Sequence, residues 1–338
     1  MDTWTTVMAE HRRKLIIDCD PGHDDMAAIA LAATSGAFDI SAVTTVCGNA
    51  GVEDTTRNAL DIVSAFGVDA PVYAGATGPL IHVYEFPTKF HGVGGMQSAG
   101  AAFRRSKASA RPGHAALEII RRVKAEPGAY TLVVLGPMTN VALALALDPS
   151  ISTTIREIVF MGGGTHGGNI TATAEFNIWA DPEAAKMVLA SGILCTMFGL
   201  NVTNEAMITR ADIERVRAAV AGRNPVADIL DFYASTNPLF AQGLVDGPAL
   251  HDPCPIAYLI DPTLFETRAL PVRVATEEGP YLGATMVDLR RIPSGDDPVI
   301  NVAVGVDAGR LNKLVVSALC RAAELCAANG GLPQSIAS

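Results

Sequence analysis

Lys14-Leu15-Ile16-Ile17-Asp18-Cys19-Asp20-Pro21-Gly22-His23-Asp24-Asp25 is the stretch on which the fold turns. Its apolar start stops abruptly at acids, which reads as a buried strand ending at Asp18. Residues 24–35 are rich in Ala and Met and have helical character, with Gly36 as a stop. Outward from this βα unit the rhythm repeats. Strands are expected over 40–46, 72–74, 130–135, 156–161 and 193–198, and helices over 53–66, 114–125, 138–147 and 181–191. The last of these opens with an acid cap and a proline, Asp181-Pro182. This alternation predicts an α/β fold, an open, doubly wound, mostly parallel sheet with helices on both faces. Two irregular connections, 76–112 and 234–250, interrupt it. Long loops in compact domains are disproportionately functional. Residues 265–305 look β-rich, as a small appended hairpin region. No repeat or linker is visible, so residues 1–338 are expected to form a single domain with a core over about 14–325.

Composition supports this reading. Of 338 residues 49% are hydrophobic and only 6% aromatic, which suits an aliphatic core of helices on a parallel sheet. The net charge of −10 and the scarcity of clustered Lys and Arg argue against nucleic acid as a partner. A neutral small molecule or a cation fits better. Six cysteines without a CxxC pair read as reduced thiols. The polar start, Met1 to Lys14, lacks the apolar core of a signal peptide, and no apolar run reaches membrane-spanning length. A cytoplasmic protein with no membrane association is therefore expected.

In open α/β sheets, ligands bind at the carboxyl ends of strands. Here those ends carry Asp18 and Asp20, Asn49, Leu135-Gly136 and Met161-Gly162. Four carboxylates within eight residues repel one another and take up protons unless a cation balances them. A hard cation with oxygen ligands fits, and Ca2+ accepts six to eight of them in flexible geometry. The spacing is not that of an EF-hand. A bland alternative is a solvated turn in which Asp24 caps the next helix. A sharper one is an Asp-nucleophile phosphatase of the haloacid-dehalogenase kind. Its later acidic pair would have to be Gly295-Asp296-Asp297, which is bracketed by Pro293 and Pro298 with no apolar strand before it. Gly162-Gly163-Gly164 lacks the Lys-Ser/Thr of a phosphate loop.

The acidic stretch resembles the opening of the inosine-uridine preferring nucleoside hydrolase family. Further blocks resemble that family in order: Val46-Cys47-Gly48-Asn49, His91-Gly92, Leu135-Gly136-Pro137-Met138-Thr139-Asn140, Met161-Gly162-Gly163, Ala174-Glu175-Phe176-Asn177, Asp181-Pro182-Glu183-Ala184-Ala185 and His251-Asp252-Pro253-Cys254. The resemblance implies a Rossmann-like nucleoside hydrolase fold. It also implies Ca2+-dependent hydrolysis of the N-glycosidic bond of ribonucleosides, to ribose and a free base for salvage. The implied metal ligands are Asp20, Asp25, Asp252 and the carbonyl of Leu135. Asp24, Asn49 and Asn177 would contact ribose hydroxyls or the catalytic water, Asn169 and Glu175 the 5′-hydroxyl, and Met161 and Phe176 the sugar. Asp20 would be the general base, and Asp18 a support behind it.

His91 and His251 are the candidates for assisting the leaving base, since an imidazole titrates near neutrality. His23 occupies a variable position and is read as tuning the loop. His11, His82, His114 and His166 are read as structural. The blocks around Gly22-His23 and His251 are similar to pyrimidine-preferring bacterial members, so uridine and cytidine are expected. The alternatives are a broad inosine-uridine or purine specificity, or a ribose- and metal-binding protein without turnover. A homodimer or homotetramer is implied.

Overall fold

The computed structural model describes residues 12–83, 91–92, 94–100, 102–290 and 295–330. His11, Pro293 and the rest of the polar N-terminal stretch through residue 11 lie outside these residues, as do 84–90, 93 and 101 of the long connection. In chain order the elements are β1 (Arg13–Cys19), α1 (His23–Ser35), β2 (Phe38–Thr45), α2 (Val52–Ala65), β3 (Val72–Ala74), α3 (Ala115–Ala125), β4 (Tyr130–Val134), α4 (Thr139–Leu147), β5 (Glu157–Met161), α5 (Phe176–Ala180), α6 (Pro182–Leu189), β6 (Cys195–Phe198), α7 (Leu200–Thr203), α8 (Arg210–Ala218), α9 (Pro225–Thr236), α10 (Pro238–Ala241), α11 (Pro253–Ile260), β7 (Phe265–Val274), β8 (Thr285–Val287), β9 (Val299–Val306) and α12 (Ala308–Ala328).

The strands form one sheet in the order β3-β2-β1-β4-β5-β6-β9-β7-β8. From β3 to β9 the pairings are parallel, and β7 and β8 add antiparallel edges. The two-residue period of a strand divides its side chains between two cores. Leu15 and Ile17 of β1 pack with residues of α1, α2, α8, α9, α11 and α12 on one face. Ile16 points the other way, into a core built from α3, α4 and α6. Helix α1 is Ala-rich and buried continuously from His23 to Ala32, which small side chains permit. Its end at Gly36, φ 71°, uses the left-handed conformation open to glycine.

Residues 265–305 differ from the expected appended hairpin. β9 inserts beside β6 with Thr196 opposite Asn301, and β7 pairs along β9 from Phe265 opposite Val306 to Pro271 opposite Val299. The segment therefore extends the main sheet. α12 is also absent from the pattern read in the sequence. Strand order reverses between β1 and β4, and their carboxyl ends frame the crevice where an open α/β sheet binds ligands.

Candidate active site

The site is built on the end of β1. Asp18 is fully buried; Thr44 Oγ1 and Asn140 Nδ2 donate to its Oδ1 at 2.6 and 2.8 Å. Asn140 also donates to Thr45 O and accepts from Ala76 N–H, so one amide ties β1, β2 and the loop after β3 together. Asp20 follows, with Asn49 N–H on its Oδ2 at 2.7 Å. Its seat is walled by two glycines. A Cβ on Gly48 would stand 2.0 Å from Asp20 Oδ2, and one on Gly136 would stand 2.5 Å from Oδ1.

The acids of α1 divide their work. Asp25 accepts Gly22 N–H at 2.8 Å and so caps its own helix; the alternative of a solvated turn capped by Asp24 is not what forms, since Asp24 is buried. Asp24 instead accepts the backbone N–H of His251. Asp252 starts α11 without capping it. It hydrogen-bonds Asp25, which requires a shared proton when no cation lies between them. One oxygen from each of Asp24, Asp25 and Asp252 lies within 4.8 Å of the others. Burial and mutual repulsion push Asp20, Asp24 and Asp252 above the ordinary carboxylate range, and burial pushes Asp25 and Asp18 up.

Above this nest opens a cavity of about 700 Å³. Its lining includes Asp20, Asp24, Asn49, His91, Leu135, Met161, Asn169, Glu175, Phe176, Asn177, His251 and Asp252. Every site residue expected from the sequence is thus brought together at its wall, except Asp25, which lies beneath with 0% exposure. Asn177 Nδ2 donates to Leu135 O at 2.7 Å and to Met161 O at 3.2 Å. The Leu135 carbonyl therefore already uses one lone pair and keeps a second. Glu175 accepts from Gly163, Asn177 and Ile178 N–H. Burial nevertheless raises its pKa to about 7. Asn169 Oδ1 accepts Phe176 N–H at 2.9 Å, which fixes it beside Glu175.

At the other end, rings are stacked. Tyr233 lies 5.1 Å from His23 and 5.8 Å from His91, and Phe232 backs His23 at 5.6 Å. His23 Nε2 faces the carbonyl of Gln97 at 2.8 Å, so that nitrogen carries the proton. In the neutral ring Nδ1 is then an acceptor, and His91 Nδ1–H donates to it at 3.1 Å. His23 thus does more than tune a loop: it selects the tautomer of His91. The only sequence signal was an aromatic residue placed inside the acidic motif. His251 Nδ1 lies 2.8 Å from Thr203 Oγ1. Burial lowers His91 to about 3 and His251 to about 4, which corrects the expectation of imidazoles titrating near neutrality. Thr236, Asn237, Pro238, Leu239 and Val245 complete this wall.

A divalent cation fits these residues. Asp20 Oδ1 and Asp25 Oδ1 are buried with no hydrogen-bond partner. Orphaned carboxylate oxygens beside a converging acid triad are a hard, all-oxygen donor set. Among the described residues no other such cluster occurs.

A carboxylate nest at the switch point of a doubly wound sheet, under a cavity edged by amides and imidazoles, defines a small-molecule hydrolase of the α/β class. Comparison with known proteins narrows that class. The profile of the inosine-uridine preferring nucleoside hydrolases matches residues 15–313. Pyrimidine-specific ribonucleoside hydrolase RihB of Shigella sonnei is 40% identical over 278 residues, 82% of this chain and 88% of that protein. Its Escherichia coli K12 counterpart matches to the same extent. A purine-preferring ribonucleoside hydrolase from Gardnerella vaginalis superposes with TM-score 0.83 at 32% identity, covering 92% of this chain and 99% of that one. The plant nucleoside hydrolase PpNRh1 gives 0.82 at 30%, covering 91% and 99%. The chain belongs to the inosine-uridine preferring nucleoside hydrolase family, and it is an enzyme that hydrolyses N-glycosyl compounds.

Proposed function

We propose that this protein is a Ca2+-dependent ribonucleoside hydrolase that prefers pyrimidine nucleosides. The carrying observation is the buried Asp24-Asp25-Asp252 triad with the orphaned Asp20 oxygen beside it, on the floor of a cavity of nucleoside size. Asp25, Asp252, Asp20 and the free lone pair of Leu135 O would hold the ion, and by its position Asp24 shares that cluster. A bound calcium ion supplies the charge that keeps these carboxylates ionised, orients vicinal ribose hydroxyls and acidifies water.

The protein's own groups do the rest. Asp20, whose carboxylate lines the cavity, takes the proton of the attacking water. Asn49, Asn177 and Asp24 hold the ribose hydroxyls, and Met161 and Phe176 flank the ring. Glu175 and Asn169 hold the 5′-hydroxyl. The net negative nest favours the positive charge that develops on the sugar as the glycosidic bond breaks. His91 and His251 are neutral near pH 7 and serve the leaving base by hydrogen bonding. Preference for uridine and cytidine is supported by the 40% identity to RihB, which is named pyrimidine-specific. The purine-preferring relative stands at 32%.

One sheet with a core on each face supports a single domain. Five of the six cysteines are buried, which supports residence in the cytoplasm. Among the described residues no helix is long and apolar enough to cross a membrane. The test is ribose release from uridine, cytidine, inosine and adenosine, in EGTA and after Ca2+ is restored. Activity should vanish in EGTA and return with Ca2+, with the pyrimidines ahead. Full activity in a verified metal-free sample, or faster inosine turnover, would overturn the corresponding half of the reading.

A further inference from the structure

Residues 162–175 run from the end of β5 to α5 and carry Asn169 and Glu175. Their hold on the rest of the protein comes from an unexpected direction, the far antiparallel edge of the sheet. Thr285 opens β8 and pairs with Val274 of β7. Its hydroxyl engages both backbone polar groups of one residue: Gly164 N–H donates to Thr285 Oγ1 at 2.8 Å, and Thr285 Oγ1 donates to Gly164 O at 2.7 Å. The neighbouring Gly163 is the residue whose N–H Glu175 accepts at 2.8 Å. Gly163 has φ +69°, and a Cβ there would lie 2.6 Å from Thr285 Cγ2. The close approach is therefore possible only with glycine.

The same edge fastens the other end of the loop. Ala284 forms an isolated antiparallel bridge with Ala174, the residue before Glu175. Thr173 Oγ1 donates to Pro280 O at 2.9 Å. Gly283, φ +78°, lies where a Cβ would come within 2.5 Å of Trp179 Cα, so the β7–β8 connection presses on α5 directly behind Glu175. Consecutive residues 284 and 285 thus clip both ends of one loop, and Glu175 follows directly on the second clip.

We propose that Thr285 is a positioning residue for recognition of the 5′-hydroxyl. Its hydroxyl fixes the Gly163-Gly164 backbone, that backbone aims the Glu175 carboxylate, and the loss of either loosens the grip on the 5′ end of the sugar. The inference rests on the reading of Glu175 and Asn169 as the 5′-hydroxyl subsite. kcat and KM are to be measured with uridine and 5′-deoxyuridine for the wild type and for Thr285→Val, Thr285→Ser and Glu175→Gln. If the panel above selects purines, inosine and 5′-deoxyinosine replace them.

Thr285→Val keeps the shape and removes both hydrogen bonds, and should lower kcat/KM for uridine about tenfold. The loss on 5′-deoxyuridine should be at most about threefold. Thr285→Ser should restore the uridine value. Equal losses on both substrates, no loss, or a Ser variant no better than Val would overturn the role. If Val yields no soluble protein, Thr285→Ala gives the same comparison. Glu175→Gln checks the subsite itself: it should abolish the preference for uridine over 5′-deoxyuridine. If it keeps that preference, the subsite reading fails and this inference with it. If Gln loses the preference and Val keeps it, Thr285 alone is refuted.

Discussion

At the scale of single residues, the site depends on what has been kept small as much as on what is charged. Gly48 and Gly136 leave room for Asp20, and a methyl at either would strike its carboxylate. Gly48→Ala should therefore lose most activity while the protein still folds. Steady-state rates alongside circular dichroism check this, and a fully active variant would refute it. Asp20→Ala should abolish turnover; ribose release by a folded variant would remove it as the base. His251→Ala and His91→Ala should slow natural nucleosides more than p-nitrophenyl riboside, whose leaving group needs no assistance. Equal slowing on both substrates would make the histidines structural.

Glu175 carries a pH signature. Its pKa is raised from 4.5 to about 7 by burial. The folded state therefore binds its proton more tightly than the unfolded chain does. Stability is full below about pH 4.5 and declines as pH rises to about 7, by at most about 3 kcal/mol. Glu175→Gln should flatten that part of the melting-temperature profile. An unchanged slope would show that the group titrates normally.

At the scale of elements, β1 to β6 and the helices between them, the short α5 excepted, are legible in the sequence to within a residue or two. Buried parallel strands are continuous runs of aliphatic residues, and here they stop at Asp, Gly or Asn. β7, β8 and β9 read only as β-rich because pairing partners far apart in sequence leave no local trace. Of the site, the acids, amides and histidines were legible as ordered motifs. The Asn177 bond to Leu135 O, the His23 control of His91 and the Thr285 clip were not, since each joins residues far apart in the chain. Asn140 is the clearest strut: it spans β1, β2 and the loop after β3. Asn140→Ala should cost about 2–4 kcal/mol, as it leaves buried groups unpaired. Urea unfolding checks this, and a loss under 0.5 kcal/mol would contradict the role.

At the scale of the molecule, a nest of like charges raises the free energy of the folded state until a cation balances it. Metal binding is then also folding energy. A hundredfold excess of Ca2+ over its dissociation constant should stabilise the protein by about 2.7 kcal/mol. Differential scanning calorimetry with EGTA and with Ca2+ tests this, and identical melting temperatures would deny the linkage. Asp24 and Asp25 belong to one end of the chain and Asp252 to the other, so the site reports on the docking of both.

The position of β9 also has a consequence for synthesis. It lies between β6 and β7, although it leaves the ribosome after both. Until residues 299–306 emerge, the Cys195–Phe198 strand is an open, apolar edge, and β7 has nothing to pair with except β8. A nascent chain therefore carries six assembled strands for about a hundred residues before the sheet can close. Chains halted before residue 299 should be cut readily by protease between β6 and α11 and should bind chaperones that capture exposed strands. Completion of the ninth strand would end both.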